Sequence, residues 1–315
     1  MISPSVFSGA FLGWSLGAND AANVFGTAVS TKVVKYSTAV IITAIFVILG
    51  AVVDGEHGVH KLSDFAYNGG IDTALAAFFV MLSAALTVTV MTYLKFPVST
   101  SQAVIGAIMG GGLLVGRTDF SASIKFLSAW IVTPLGAMII SFIMYKIIEK
   151  FLENRIKSLE FYDAVIKGGY ILAGMFSAYS LGANNVANVT SIYAGQLNLL
   201  TTQQAVIVGG ISIALGVLTY SKRVMLTVGK GLVDLSPISG FVSVMAAALT
   251  VYIYALIGIP VSTSQAIVGA VIGIGLVKGV KAINMKTVKN IMFAWFGTPT
   301  IAGLVSFGFS FIYHM

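Results

Sequence analysis

Residues 97–103 read PVSTSQA, and residues 260–266 repeat these seven letters without a change. A second pair of segments has the same relation: residues 15–24 read SLGANDAANV, and residues 180–189 read SLGANNVANV. The two pairs are separated by 163 and 165 residues, so they keep one order at nearly one spacing. Self-similarity at a long fixed period is typical of a duplicated structural unit.

A third landmark supports the duplication, because the pattern Trp-x-x-Thr-Pro at residues 130–134 recurs at residues 295–299. We therefore divide the chain into a first membrane repeat over 1–149 and a second over 165–315. The charged linker at 150–164 joins them, and we expect it to form a solvated or interfacial helix on the cytoplasmic side.

The composition indicates a polytopic membrane protein built of helices. Of the 315 residues, 57% are hydrophobic and 9% are charged, whereas soluble domains are about one quarter charged. The mean hydropathy is +0.95. The net charge of +7 is better explained by basic cytoplasmic loops than by nucleic-acid binding. The chain has no cysteine, which excludes disulfides, thiol catalysis and thiolate-bound metals.

Each repeat contains five apolar stretches, and their number predicts how the repeats are oriented. The ten stretches lie approximately at 5–29, 36–53, 73–94, 97–116, 124–148, 165–192, 203–220, 238–258, 261–277 and 287–312. If all five cross the bilayer, or if the third and fourth form a re-entrant hairpin, each repeat has an odd number of spans. The second repeat then enters from the opposite side, so we expect inverted-topology repeats with broken helices and re-entrant helical hairpins.

Loop charges predict the orientation in the plasma (inner) membrane. With alternating sides, 15 of the 18 basic residues fall on one side, and only Lys61, Arg117 and Lys125 fall on the other. Because basic residues concentrate in cytoplasmic loops, we expect both termini to lie outside.

Asp20 is the one acidic residue in the middle of an apolar stretch. An uncompensated charge at that depth costs at least about 2.5–3.5 kcal/mol, so it needs a partner. The surrounding GANDAAN segment, residues 17–23, suits an unwound stretch in which oxygen atoms converge, and oxygen ligands suit hard cations. We predict a sodium site built from Asp20, Asn23, Asn185 and Asn188, with no transition metal. A polar, glycine-assisted helix kink is the structural alternative.

The PVSTSQA segments predict an anion site. Pro97 and Pro260 suit the first turn of a helix, and the hydroxyl groups that follow would lie beside the positive end of the helix dipole. Two such starts, one from each repeat, can face each other across the midplane, whereas ordinary capping accounts for one hydroxyl group per helix. The predicted phosphate ligands are Ser99, Thr100, Ser101, Gln102, Ser262, Thr263, Ser264, Gln265 and Asp20.

The pair GANDAAN and GANNVAN, with PVSTSQA twice, resembles the PiT family of inorganic phosphate transporters over nearly the whole chain. The resemblance implies uptake of phosphate by symport with a cation through alternating access, with sodium in many members and protons or metal-phosphate complexes in others. It carries the Asp and Asn positions of the family onto Asp20, Asn23 and Asn188. Asn185 stands where many members have a second Asp, which leaves the cation number open, and the long central domain of animal members is absent.

No cofactor is expected. Phosphate is the expected substrate, sodium or a proton is the expected coupling ion, and membrane lipid is expected to surround the protein. The oligomeric state stays open, and a homo-oligomer is possible. The alternatives are a sulfate or metal-phosphate carrier on the same scaffold and a passive anion channel. An enzyme acting on phosphate esters is disfavoured, because His57, His60 and His314 fall in loops or at the terminus, leaving Asp20 without a base partner.

Overall fold

The computed structural model describes residues 3–94, 98–155, 158–228, 236–279 and 285–314. Within these ranges the chain forms eleven α-helices and no strand. The helices of the first half are α1 (Val6–Ser30), α2 (Tyr36–Asp54), α3 (Glu56–Asn68), α4 (Ala74–Tyr93), α5 (Thr100–Leu114) and α6 (Phe120–Arg155). Those of the second half are α7 (Leu159–Thr190), α8 (Thr202–Val228), α9 (Pro237–Leu256), α10 (Thr263–Lys278) and α11 (Met285–His314).

Ten of these helices coincide with the ten predicted apolar stretches, which confirms the all-α membrane architecture. Seven helices are long and apolar enough to cross a bilayer, and α5 and α10 are apolar but shorter. The charged linker does not form a helix of its own among the described residues: its first part ends α6 and its last part begins α7. Several predicted loop charges, namely Lys95, Lys157, Lys230, Asp234 and Lys281, lie outside the described residues.

Helix α3 was not predicted, because its sequence alternates charged and apolar residues instead of forming an apolar run. It buries Val59, Leu62 and Phe65 against neighbouring helices. The prediction that His57 and His60 lie in a loop is wrong, since both belong to this helix. We call the side of the molecule on which this helix lies the α3 face.

Two pairs of helices form hairpins, which we name hairpin 1 (α4 and α5) and hairpin 2 (α9 and α10). We call the ends of a hairpin that lie opposite its turn the outer ends. Those of hairpin 1 are joined by Arg117, whose guanidinium lies 2.6 Å from the Asp72 carboxylate. Arg117 also donates to the carbonyl of Tyr67 at the end of α3. The outer ends of hairpin 2 meet where Lys278 donates to the Ser236 hydroxyl over 3.3 Å. Both hairpins therefore return to the side from which they start.

Glycine residues allow the central helices to approach closely. A Cβ atom at Gly17 would collide with the carbonyl of Ile213 in α8, and one at Gly182 would collide with the carbonyl of Val47 in α2. These contacts pack α1 on α8 and α7 on α2. In a bilayer, small residues at helix interfaces permit this backbone-to-backbone packing.

The repeated Trp-x-x-Thr-Pro segments hold the shorter helices of the hairpins. Pro134 lies inside α6 and packs its backbone against Gly269 of α10, and Pro299 lies inside α11 and packs against Gly106 of α5. Each hairpin is thus fixed along a long membrane helix from the other half of the chain, and the first residues of α5 and α10, Thr100 and Thr263, are buried.

Candidate functional site

Asp20 lies at the centre of the molecule and is 2% exposed. Its Oδ2 atom accepts a hydrogen bond of 2.7 Å from the Thr263 hydroxyl of α10, and its Oδ1 atom accepts one of 2.7 Å from the Asn19 amide. Helix α1 continues without interruption from Val6 to Ser30, so the predicted unwinding of residues 17–23 is wrong. The chain is broken instead at the two hairpin turns.

The first serine of each PVSTSQA segment caps a helix. Ser99 is the N-cap of α5 and accepts from the backbone N–H of Gln102, and Ser262 is the N-cap of α10 and accepts from the N–H of Gln265. Pro260 precedes the Ser262 cap by two residues, so its predicted place in the first helical turn is wrong. Pro97, the equivalent residue, lies outside the described residues.

The third hydroxyl group of each segment holds the two hairpins together. Ser101 donates to the carbonyl of Val261 over 2.9 Å, and Ser264 donates to the carbonyl of Val98 over 2.9 Å. Since Val261 and Val98 occupy equivalent positions in the repeated segments, the two bonds are reciprocal. The predicted convergence of the two helix starts is therefore present, and four of the predicted hydroxyl ligands serve as caps or cross-ties.

The GANNVAN segment of α7 contacts both hairpin turns. Asn184 donates to the carbonyl of Val261 over 2.8 Å and accepts from its N–H over 3.1 Å, which fixes the turn of hairpin 2. Asn188 donates to the hydroxyl of Ser101 and to the side-chain carbonyl of Asn185, both over 3.0 Å. On the α1 side, the Asn23 amide lies 3.5 Å from the Thr263 hydroxyl.

Five buried polar atoms in this region lack a hydrogen-bond partner among the described residues. Two of them can donate, the Thr100 hydroxyl and the Asn185 amide nitrogen. Three can only accept, the side-chain carbonyl oxygens of Gln102, Asn188 and Gln265. A buried polar group without a partner costs about 1–3 kcal/mol, so such a concentration calls for a ligand that both accepts hydrogen bonds and coordinates oxygen.

The sequence-based analysis missed Asn19 and Asn184 as parts of the site. Both lie in the repeated GAN triplet, so the repetition itself carried the signal, but only the later residues of the motif were chosen as ligands. The structure also shows a small cavity next to the site, lined by Asn23, Thr263, Ser177, Ser180 and Val251 among others.

The side chain of His60 in α3 lies at the surface and pairs with Glu56. His60 lies 3.2 Å from the Glu56 carboxylate, and both side chains are largely exposed. Among the described residues, no group of three or more His, Asp or Glu side chains could hold a metal ion.

Comparison with known proteins identifies the family of the chain. The family model described as the phosphate transporter family matches residues 16–306. A protein of Methanocaldococcus jannaschii that carries a phosphate-permease name is 33% identical over 300 residues, which cover 94% of this chain and 93% of that protein. A chloroplastic inorganic phosphate transporter of Arabidopsis thaliana is 23% identical over 421 residues, covering 97% of this chain and 71% of that protein.

One solved structure, described as the sodium-dependent phosphate transporter, superimposes with a TM-score of 0.86 over 98% of both chains. At 23% identity this likeness shows a shared fold. The match to the family model covers most of the chain, and the apolar helices provide the membrane spans. The chain is therefore an integral membrane protein and belongs to the phosphate transporter family.

Proposed function

We propose that this protein imports inorganic phosphate by symport with a cation, with sodium favoured and the proton as the alternative, through alternating access. The observation that carries the proposal is the set of five unpartnered buried atoms around the hairpin turns. The two donors suit the oxygen atoms of phosphate. The Asn188 carbonyl oxygen suits a hard cation, and those of Gln102 and Gln265 can accept from the hydroxyl group of a protonated phosphate. One bound pair of phosphate and cation would satisfy both kinds of atom.

Charge balance explains why the two ligands need each other. Phosphate arrives as a mono- or dianion, and the donors nearest to it are neutral hydroxyl and amide groups. The N-termini of α5 and α10 add only partial positive charge, and Asp20 adds a negative one. A cation held by Asp20, Asn23, Asn185 and Asn188 would screen Asp20 from the anion. Each ligand would then raise the affinity of the other by the same factor.

The hairpins support alternating access in a chain of two inverted repeats, 1–149 and 165–315, joined by the linker at 150–164. Hairpin 1 has its outer ends near α3, as the Arg117 contacts with Asp72 and Tyr67 show. Hairpin 2 presents its turn to α3, because Lys61 donates to the carbonyl of Ile257. These contacts support opposite directions for the two hairpins. A rocking motion of the hairpins against the central helices α1, α2, α7 and α8 would expose the shared site to either side in turn.

The distribution of basic residues supports placing the α3 face and both termini outside the plasma (inner) membrane. By the alternation predicted from the sequence, Lys61, Arg117 and Lys125 would lie on this side and the other 15 basic residues on the opposite side.

Uptake of radiolabelled phosphate into liposomes that contain the purified protein tests the proposal. An inward sodium gradient, or else a proton gradient, should drive accumulation above the external concentration. Accumulation that ignores both gradients would contradict symport, and rapid equilibration without accumulation would indicate a channel.

Competition with sulfate in the same assay tests the substrate. Phosphate near neutral pH retains a proton that can be donated to the Asp20 carboxylate, and sulfate does not. We expect sulfate in tenfold excess to leave uptake nearly unchanged. Strong inhibition by sulfate would favour a general oxyanion carrier, and a requirement for divalent metal would favour a metal-phosphate carrier.

A further inference from the structure

On the α3 face, a small set of polar contacts fastens hairpin 2 to the corner between α2 and α3. The Asp54 carboxylate at the end of α2 accepts two hydrogen bonds on one oxygen, from the Tyr179 hydroxyl over 2.5 Å and from the Tyr252 hydroxyl over 3.0 Å. Lys61 of α3 donates to the carbonyl of Ile257 in the turn of hairpin 2 over 2.5 Å. Two separate residues of one corner thus hold the same hairpin.

The backbone of the turn is shaped for this contact. Gly258 has φ of +68°, in the region that favours glycine. A Cβ atom at this position would lie 2.6 Å from the carbonyl oxygen of His57 in α3. The turn can therefore lie directly on α3 only because residue 258 is glycine.

Two of these contacts adjoin, in sequence, residues that line the cavity beside the central site. Ser180 follows Tyr179 in α7, and Val251 precedes Tyr252 in α9; both Ser180 and Val251 line the cavity. The cavity extends to Asn23 and Thr263, which belong to the central site. The turn itself reaches the central site, since the Val261 carbonyl accepts from Ser101 and Asn184. A separation of the turn from α2 and α3 would therefore open the central site toward the α3 face.

The equivalent positions in the other half do not carry this charge. Trp14 and Thr219, which correspond to Tyr179 and Asp54 by the 165-residue spacing, form a hydrogen bond of 2.8 Å between α1 and α8. A neutral pair is thus sufficient to join two helices at this position. Within the described ranges, the α3 face is where one carboxylate joins two tyrosines from different helices.

We propose that Asp54, Tyr179, Tyr252, Lys61 and the turn at 257–258 form an outer latch, the gate through which phosphate and its coupling cation enter from the α3 face. The inference rests on the proposed transport function. The latch consists of polar contacts near the surface, which exchange with water at small net cost, so it can open without exposing the apolar core. The glycine-packed contacts of α1 with α8 and of α7 with α2 stay closed.

The absence of cysteine from the chain permits a direct test by cross-linking. Lys61→Cys combined with Ile257→Cys should be bridged by a short bis-methanethiosulfonate reagent, which forms a reducible disulfide with each cysteine. We expect bridging to reduce sodium-driven phosphate uptake at least in proportion to the bridged fraction, and reductant to restore it. Asp72→Cys with Arg117→Cys is the matched control on the same face, because that bridge joins only the ends of hairpin 1 and should leave uptake unchanged.

Normal uptake by fully bridged Lys61→Cys/Ile257→Cys protein would overturn the latch. Failure of the proposed function looks different: the unbridged protein and the wild type would then both lack gradient-driven uptake.

A second measurement tests the latch even if the protein shows no gradient-driven uptake, because it does not depend on phosphate transport. In a Ser180→Cys background, Asp54→Asn and Tyr252→Phe should speed the labelling of the introduced thiol by a membrane-impermeant reagent added from the α3 face. We expect an increase of about tenfold for Asp54→Asn, since a hydrogen bond to a charged group is lost. Unchanged labelling rates in both variants would contradict the latch.

Discussion

The two copies of the central motif, GANDAAN in α1 and GANNVAN in α7, have nearly the same sequence but differ in hydrogen bonding at the position of Asp20. Asp20 of the first copy is satisfied by Thr263 of hairpin 2. The equivalent residues on the other side are Asn185 and Thr100, and the Asn185 amide nitrogen and the Thr100 hydroxyl are both buried without a partner among the described residues. The Asp20 carboxylate is therefore already hydrogen-bonded within the protein, whereas Asn185 and Thr100 keep polar atoms that a ligand can bind.

The GAN triplets differ in the same direction. Asn184 makes two hydrogen bonds to the backbone of Val261 and so holds the turn of hairpin 2. Asn19, its counterpart, donates to Asp20 instead. The difference teaches that two copies of a duplicated sequence can have different roles. The α7 copy positions a hairpin, while the α1 copy surrounds the only buried carboxylate of the described helices.

Removal of the charge should have the largest effect. Asp20→Asn preserves the side-chain volume and an acceptor oxygen but removes the negative charge that would hold the cation. We expect sodium-driven phosphate uptake to fall by between about tenfold and a hundredfold, the range for a lost interaction with a charged group. Asp119→Asn is the control, since Asp119 accepts from the N–H of Ala122 at the start of α6. Wild-type uptake and sodium dependence in Asp20→Asn would leave Asp20 with a structural role only.

The two threonines should separate the ligands. Thr263→Val removes a hydrogen bond to the Asp20 carboxylate, so we expect the sodium concentration for half-maximal uptake to rise by about tenfold. Thr100→Val removes the unpartnered hydroxyl group, so we expect the KM for phosphate to rise by about fivefold while the sodium dependence stays unchanged. Identical effects of the two substitutions on both ligands would show that the asymmetry has no functional meaning.

A second carboxylate should make the two copies more alike. Asn185→Asp places a negative charge where the first copy has Asp20, and a further cation would be needed to balance it. We expect the sodium dependence of uptake to steepen, with a Hill coefficient that rises by about one, and Asn185→Ala serves as the uncharged control. An unaltered sodium dependence in the Asp variant would indicate that residue 185 does not face the cation.

Glycine substitutions should affect the stability of the two halves almost equally, because equivalent glycines pack against the facing helix in both repeats. Gly17→Ala and Gly182→Ala each place a methyl group against a backbone carbonyl of the facing helix. We expect both to lower the free energy of unfolding by similar amounts, about 1–3 kcal/mol. Thermal unfolding in detergent measures this, and a large loss for one variant alone would show that only one of the interfaces is tightly packed.

The sequence was sufficient for the apolar helices and for the residues that meet in the candidate site, because both depend on patterns that it displays directly. Apolar stretches predicted ten helices, and the repeated PVSTSQA and GAN segments do meet at the centre. Helix α3 was missed because its amphipathic sequence lacks an apolar run. Pro260 was placed in the first helical turn, although the helix begins after the Ser262 cap.

The roles of individual hydroxyl groups were beyond the reach of the sequence. Ser101 and Ser264 stand in the same motif as Thr100 and Thr263, yet the serines donate to Val261 and Val98 of the opposite hairpin. A hydroxyl group is unavailable to a ligand when it already bonds within the protein. For these serines, that depends on the distance in space between two turns that are 163 residues apart in sequence. The unbroken course of α1 past Asp20 has a similar cause, since its packing against α8 stabilises a helix in which Gly17 and the polar residues favour unwinding.

Equilibrium binding tests the central claim most directly. Binding of radiolabelled sodium to the purified protein should be measured with and without phosphate, in the wild type and in Asp20→Asn. The shared site predicts that phosphate increases the affinity for sodium, that sodium increases the affinity for phosphate by the same factor, and that Asp20→Asn abolishes both effects. Sodium binding that is independent of phosphate, or that survives in Asp20→Asn, would contradict a single pocket for the two ions.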